Sequence, residues 1–326
     1  VRVLSETDCS RASLRSAPAQ VVNRVHHQVA GLSEQFMRQR LVRVMSTGRC
    51  GTKWLSEFFR HIGVESYHEG FFAVRPTEAL IGYMNDLSNR WVLNRDAFYA
   101  DRSRSADAYV RKVQQRFRWQ RVTRLGARGL IVDTDNMLTP WTALLEPALQ
   151  EAGIETRNLI LFRNPYKTIH AMRTVEGAGA FPHRPDRFHH SKDAVMMAAE
   201  VWARIYEMAL EFKERYPTFH LLKVEDFSSD FEKARQTLDF VGVTITKSRY
   251  EQFRTRLDVE KYRTSKVQSV RNSDLFHDPR FVISEAQMAE MDGTIQPIAE
   301  ELGIDLAAAK TDYLQFHRDE KPRIFA

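Results

Sequence analysis

Ser46-Thr47-Gly48-Arg49-Cys50-Gly51-Thr52-Lys53-Trp54 joins the apolar run Leu41-Val42-Arg43-Val44-Met45 to a helical pattern over residues 54–61. A turn from a buried strand into a helix is where two effects favour an anion. Glycines let successive backbone N–H groups point inward, and the positive end of the helix dipole faces the same space. Arg49, Thr52 and Lys53 add charged and hydroxyl donors. A plain glycine turn is the competing reading of the nine residues taken alone. The signature of triphosphate-using loops needs a Lys followed by Ser or Thr, whose hydroxyl holds magnesium. Here Lys53 is followed by Trp54, so magnesium-dependent phosphoryl transfer loses its main support, and a donor that needs no metal fits better.

Outward from this turn, three more short β-branched runs read as buried strands: Gly129-Leu130-Ile131-Val132-Asp133, Asn158-Leu159-Ile160-Leu161-Phe162 and Phe219-His220-Leu221-Leu222-Lys223-Val224. Helical spacing lies between and beyond them at 138–152, 193–215 and 284–302, the last ending at Gly303. Strands alternating with helices predict an α/β fold with a central parallel sheet flanked by helices. Residues 1–40 read as a polar, partly helical lead-in, and 41–326 as one domain. Inserts around 90–128 and 176–192 are expected to line the face of a second substrate. The stretch 90–128 sets eleven Arg and Lys residues against only Asp96, Asp101 and Asp107, which reads either as a solvated helix pair or as a patch for an anionic acceptor.

Composition narrows the classes. The chain has 326 residues, 43% of them apolar and 28% charged, which is ordinary globular material. The formal charge is +6, but the 48 basic and 42 acidic residues are largely interleaved, so nucleic acid is not the expected partner. No window offers the roughly 20 apolar residues of a membrane span. Two cysteines, Cys9 and Cys50, make no disulfide framework. A reducing, cytoplasmic location is the expectation. His183, His189 and His190 share no common metal-ligand spacing and have no Cys nearby, so no metal is expected.

The Gly48–Trp54 segment resembles the 5′-phosphosulfate loop of sulfotransferases that use 3′-phosphoadenosine-5′-phosphosulfate (PAPS), in style closer to bacterial and tyrosylprotein members than to cytosolic ones. The resemblance implies a P-loop-like sulfotransferase fold, with PAPS as co-substrate and adenosine 3′,5′-bisphosphate (PAP) as product. It places Arg49 at the leaving phosphate oxygen, Cys50, Gly51, Thr52 and Lys53 around the phosphosulfate, and Trp54 against the adenine. Cys50 stands where the family has Ser, and Lys53 where it has a second Thr. Leu159-Ile160-Leu161-Phe162-Arg163-Asn164-Pro165 resembles the family's 3′-phosphate element, with Arg163 as its Arg. The Ser expected eight positions later is Ala171. Leu222-Lys223-Val224-Glu225-Asp226-Phe227 is similar to the late strand ending in Glu-Asp.

Moving a sulfuryl group in line needs a base for the acceptor proton and positive charge where the bridging oxygen becomes negative. Tyr67-His68-Glu69-Gly70 follows a short strand-like stretch, and Glu69 lies twenty positions after Arg49. That spacing resembles the one at which tyrosylprotein sulfotransferases carry their catalytic Glu, which favours Glu69 as base over His68. An ion-paired surface Glu is the ordinary alternative. Residues 262–272 loosely resemble the family's nucleotide-closing loop, with Ser265 facing the sulfonate and Arg271 the 3′-phosphate. The acceptor is expected to be a small molecule or carbohydrate bearing a hydroxyl or amine, anionic if the basic patch serves it. A kinase-like transferase and a polyanion-binding module remain the competing readings.

Overall fold

The computed structural model describes residues 39–68, 78–101, 104–123, 129–177, 185–264 and 282–319. Five strands form one sheet: β1 (Arg40–Met45), β2 (Glu65–Tyr67), β3 (Leu130–Asp133), β4 (Glu155–Phe162) and β5 (Phe219–Lys223). Their order is β2-β3-β1-β4-β5, and every pairing is parallel. β4 reaches back to Glu155, three residues before the apolar run begins, because its first residues pair with β1.

Alternation along the strands feeds two apolar layers. Leu41, Met45, Ile131, Ile160 and Phe162 point into the larger. It is covered by α2 (Glu78–Leu93), α3 (Arg95–Ala100), α4 (Arg104–Thr123), α5 (Thr142–Glu151), α6 (Pro165–Gly177), α7 (Ala194–Arg215), α11 (Glu285–Glu301) and α12 (Leu306–Asp319). Val42, Val44, Val132, Leu159 and Leu161 point the other way, against α1 (Thr52–His61), α8 (Val224–Ser229), α9 (Phe231–Val241) and α10 (Lys247–Thr264). A sheet covered on both faces explains why the strands read as continuous apolar runs. The basic stretch 90–128 is not merely solvated, since Trp91, Phe98, Tyr109, Val113 and Phe117 are all buried in the larger layer. No described helix is long and apolar enough to cross a membrane.

Arg43 sits buried inside the sheet. Arg43, 4% exposed, donates from Nε to Asn158 Oδ1 (3.0 Å), from Nη1 to Thr142 O (2.9 Å) and from Nη2 to the fully buried Glu146 carboxylate. Glu146 also accepts from Thr156, from Thr218 Oγ1 (2.8 Å) and from Asn158 Nδ2 (3.2 Å). Each buried charge is thereby paired and hydrogen-bonded, the condition on which such a pair is tolerated.

The topology locates the crevice. From β1 the chain leaves through α1 on one face toward β2, whereas from neighbouring β4 it leaves through α6 and α7 on the other face toward β5. The carboxyl ends of β1 and β4 therefore flank a switch point, the place where open α/β sheets bind ligands.

Candidate active site

The 46–51 loop enters that crevice from β1. Gly48 (φ 77°), Arg49 (φ 58°) and Gly51 (φ 93°) all take left-handed backbone, and Arg49 is the one non-glycine residue to do so among those described. Left-handed backbone of this kind turns the chain tightly into the start of α1, where the helix dipole favours an anion. A non-glycine residue held at positive φ is a mark of functional turns. Arg49 and Lys53 are exposed, whereas Cys50 and Thr52 are buried.

Cys50 faces the protein rather than the crevice. Its Sγ donates to Gly48 O (3.1 Å) and lies 3.3 Å from both Thr47 Oγ1 and Tyr206 Oη, and 3.9 Å from Thr168 Oγ1. Tyr206, on α7, donates to Leu161 O (2.8 Å), and burial raises its phenol well above its ordinary range. The thiol thus ties the loop to β4, α6 and α7. Its place in the motif gave no hint of this inward orientation.

From the other side the loop is braced by the turn after β3. Gly48 N donates to Ser46 Oγ (3.1 Å), and Thr139 Oγ1 meets Ser46 N (3.4 Å). A Cβ on Gly48 would come within 2.8 Å of Asn136 Nδ2, so any other residue here would displace that side chain. Across the loop, Gly51 abuts Val224 at the β5–α8 junction.

Arg163 follows β4 directly and is half-buried. The pairing of Met45 with Ile160 places it beside the loop. Its Nε donates to Thr168 Oγ1 (3.2 Å) and its Nη2 to Lys167 O (3.1 Å). Both partners are neutral oxygens, and Arg163 makes no ion pair among the described residues. Thr168 bridges the two motifs, since its Oγ1 meets both Arg163 and Cys50. Neighbouring Asn164 is fixed by Glu225 Oε1, which accepts from its N–H (2.8 Å), and by Ala309 O and Asp312, which accept from Nδ2 (2.7 and 2.8 Å). Ala171 is buried at 4% exposure and offers no hydroxyl.

Trp54 stacks on Phe58 (centroids 6.1 Å) and meets Phe227 and Phe253 edge-on (5.7 and 5.6 Å) on the smaller apolar layer. It is half-buried there. On the far side of the crevice, β2 is followed directly by His68, whose Nδ1 lies 3.3 Å from Thr134 Oγ1, which in turn donates to Tyr67 O (2.9 Å). Glu69, Ser265 and Arg271 lie outside the described residues, as do residues 178–184 of the 176–192 segment. The later part of that segment packs inward through Phe188, against Trp91 (6.0 Å), and the backbone N–H groups of His190 and Ser191 donate to Glu200 Oε2 (2.6 and 3.1 Å). No group of three or more metal-ligating side chains comes together among the described residues.

Sequence reasoning passed over Asp133-Thr134-Asp135-Asn136, which carries β3 into the crevice between His68 and Gly48. Asp133 is 3% exposed, accepts from Tyr109 Oη (2.8 Å) and from Asp135 N (3.1 Å), and is pushed up to about 7 by burial and then by the Asp135 charge. Three apolar residues, Leu130, Ile131 and Val132, closing in an acid were the available signal.

No protein-family model and no curated protein matches the chain. Among solved structures, the sulfotransferase domain from the curacin biosynthetic pathway is 16% identical, with TM-score 0.42, over 83% of this chain and 99% of that one. The sulfotransferase domain of the Synechococcus PCC 7002 olefin synthase is 14% identical, with TM-score 0.39, over 87% and 96%. Sulfotransferase STF9 from Mycobacterium avium is 12% identical, with TM-score 0.45, over 86% and 82%. Each of the three is a sulfotransferase or a sulfotransferase domain, at a level of likeness that lends no residue role to this chain.

Proposed function

We propose that this chain is a sulfotransferase that moves a sulfuryl group from PAPS to a hydroxyl or amine. The observation that carries this reading is Arg163, a cation with only neutral partners among the described residues, at the switch point beside an anion-shaped loop. Buried and half-buried cations ordinarily find a carboxylate. One that does not, next to a curled glycine loop, suits an anionic ligand with two separated charged groups. Arg49 and Lys53 hold the phosphosulfate, and Arg163 holds the 3′-phosphate. Ser265 and Arg271, outside the described residues, are assigned to the sulfonate and the 3′-phosphate by the resemblance alone.

In the reaction, the acceptor oxygen or nitrogen forms a bond to sulfur as the bond from sulfur to the bridging oxygen breaks, and PAP leaves with that electron pair. Arg49 stabilises the charge that develops on the bridging oxygen. The acceptor proton passes to Glu69, which lies outside the described residues, with His68, the residue before it, as the alternative. The acceptor, a small molecule or carbohydrate, enters from the β2–β3 side.

A kinase-like reading is disfavoured on two counts. Lys53 is followed by Trp54, which has no magnesium-binding hydroxyl. Asp133, the strand-end acid beside β1 that would serve such a metal, is closed off by Tyr109 and Asp135 N–H. Calorimetry with PAP tests the assignment. Binding is expected without magnesium and is expected to weaken ~10- to 100-fold in Arg163→Ala, the loss of a charge-assisted contact. Failure to bind PAP, or binding indifferent to that substitution, would overturn it.

A further inference from the structure

Asn164, which the transfer reaction as described does not use, stands between Arg163 and distant parts of the fold. It is 5% exposed, and each of its polar atoms has a partner. Its Oδ1 accepts from Lys167 N (3.3 Å), the bond of a residue that caps α6, and its carbonyl accepts from Thr168 N and Thr168 Oγ1 (both 3.1 Å). Lys167 and Thr168 are also the partners of Arg163, whose Nη2 donates to Lys167 O and whose Nε donates to Thr168 Oγ1. The turn that holds the guanidinium is thus a turn that Asn164 closes. On its other side, Asn164 N donates to Glu225 Oε1 on α8 (2.8 Å), and Nδ2 donates to Ala309 O (2.7 Å) and Asp312 Oδ2 (2.8 Å) on α12. Asp312 also pairs with Lys167 Nζ (2.8 Å), so α12 grips the same turn at a second point. Two carboxylates therefore meet the residue beside Arg163, and neither pairs with Arg163 among the described residues.

We infer that Asn164 is the positioning residue for Arg163: it holds the guanidinium where the nucleotide's 3′-phosphate is met, and it keeps Glu225 and Asp312 from neutralising that charge. The inference rests on the nucleotide reading above and adds a residue to it. A guanidinium already anchored before the ligand arrives loses less rotamer freedom on binding. Its anchors are only as rigid as the turn that carries them, and Asn164 fastens that turn to α8 and α12. Asparagine suits the place by its donor and acceptor inventory. It offers N–H groups to two carboxylates and an oxygen to a backbone N–H, while adding no charge of its own beside Arg163. Asp312 is exposed, so its ion pair with Lys167 contributes little alone, and its larger part is as acceptor for Asn164.

Calorimetry that compares PAP with adenosine 5′-monophosphate (AMP), which lacks the 3′-phosphate, tests the role. Asn164→Ala is expected to weaken PAP binding ~10-fold and AMP binding less than about twofold, because only PAP uses Arg163. In an Arg163→Ala background the same substitution is expected to change PAP affinity by less than about twofold, since the side chain it positions is gone. A merely structural role lowers both affinities alike and persists without Arg163. Either of those results overturns the inference, as does an unchanged PAP affinity in Asn164→Ala. If Asn164→Ala does not fold, Asp312→Ala carries the test. Its PAP loss is expected to be ~3-fold with AMP unchanged, the smaller effect reflecting that Ala309 O still accepts from Asn164. Equal behaviour of that variant toward the two nucleotides overturns the inference instead. Wild type that binds PAP no more tightly than AMP removes the 3′-phosphate reading itself, and this inference with it.

Discussion

Two arginines on neighbouring strands, Arg43 in β1 and Arg163 at the end of β4, have opposite surroundings. Arg43 is closed on every side by Glu146, Asn158 and Thr142 O, beneath α5 and away from water. Arg163 is half-buried at the crevice and, among the described residues, bonds only a hydroxyl and a carbonyl. The same side chain is structural where its charge is cancelled inside the protein, and available for ligand where it is held in place but not cancelled. Residue type and strand context do not separate the two cases. Partner chemistry does.

The largest effect that sharpens this contrast is on stability. Glu146→Ala strands a buried guanidinium, and is expected to cost ~3–5 kcal/mol in denaturant unfolding. Arg163→Ala leaves no buried charge unpaired and is expected to stay within about 1 kcal/mol of wild type, while weakening PAP binding. Similar losses in the two variants would erase the distinction.

An intermediate effect is expected at the loop. Gly48→Ala forces a side chain into left-handed backbone and against Asn136. A cost of ~1–2 kcal/mol follows from the backbone alone, and displacement of Asn136 should weaken PAP binding as well. Unchanged unfolding and unchanged PAP affinity would show that the loop does not need its observed curl.

The smallest effect is expected at Cys50. Its thiol points toward Tyr206 and Thr47 rather than into the crevice. A hydroxyl can meet the same partners, so Cys50→Ser should shift stability by less than about 1 kcal/mol and PAP affinity by less than about threefold. A large loss of affinity in calorimetry would mean that the thiol itself meets the ligand.

Much of this was legible beforehand, for identifiable reasons. β1, β3, β4 and β5 were readable because strands covered on both faces carry near-continuous apolar runs. The long helix α7 was readable from its spacing and from Asp193, whose side chain accepts from Val195 N (2.9 Å) and Met196 N (3.0 Å). The loop was readable because left-handed backbone selects glycine, and Gly48 and Gly51 mark it in the chain. Three features were not readable. The inward turn of Cys50, the bridge from Thr168 to both motifs, and the enclosure of Asp133 by Tyr109 each join residues far apart in the chain. A polar residue at a strand end looks the same in a sequence whether it faces a ligand or a buried partner.

Local conformational rules and apolar periodicity, both short-range properties, were enough to yield the parallel sheet, the anion-shaped turn and the arginine that ends β4. Which charges are cancelled and which stay available was decided by the strand order β2-β3-β1-β4-β5. Only that order brings the ends of β1, β3 and β4 side by side, and a charge's energy in a protein depends on what stands within a few ångströms of it rather than on its neighbours along the chain.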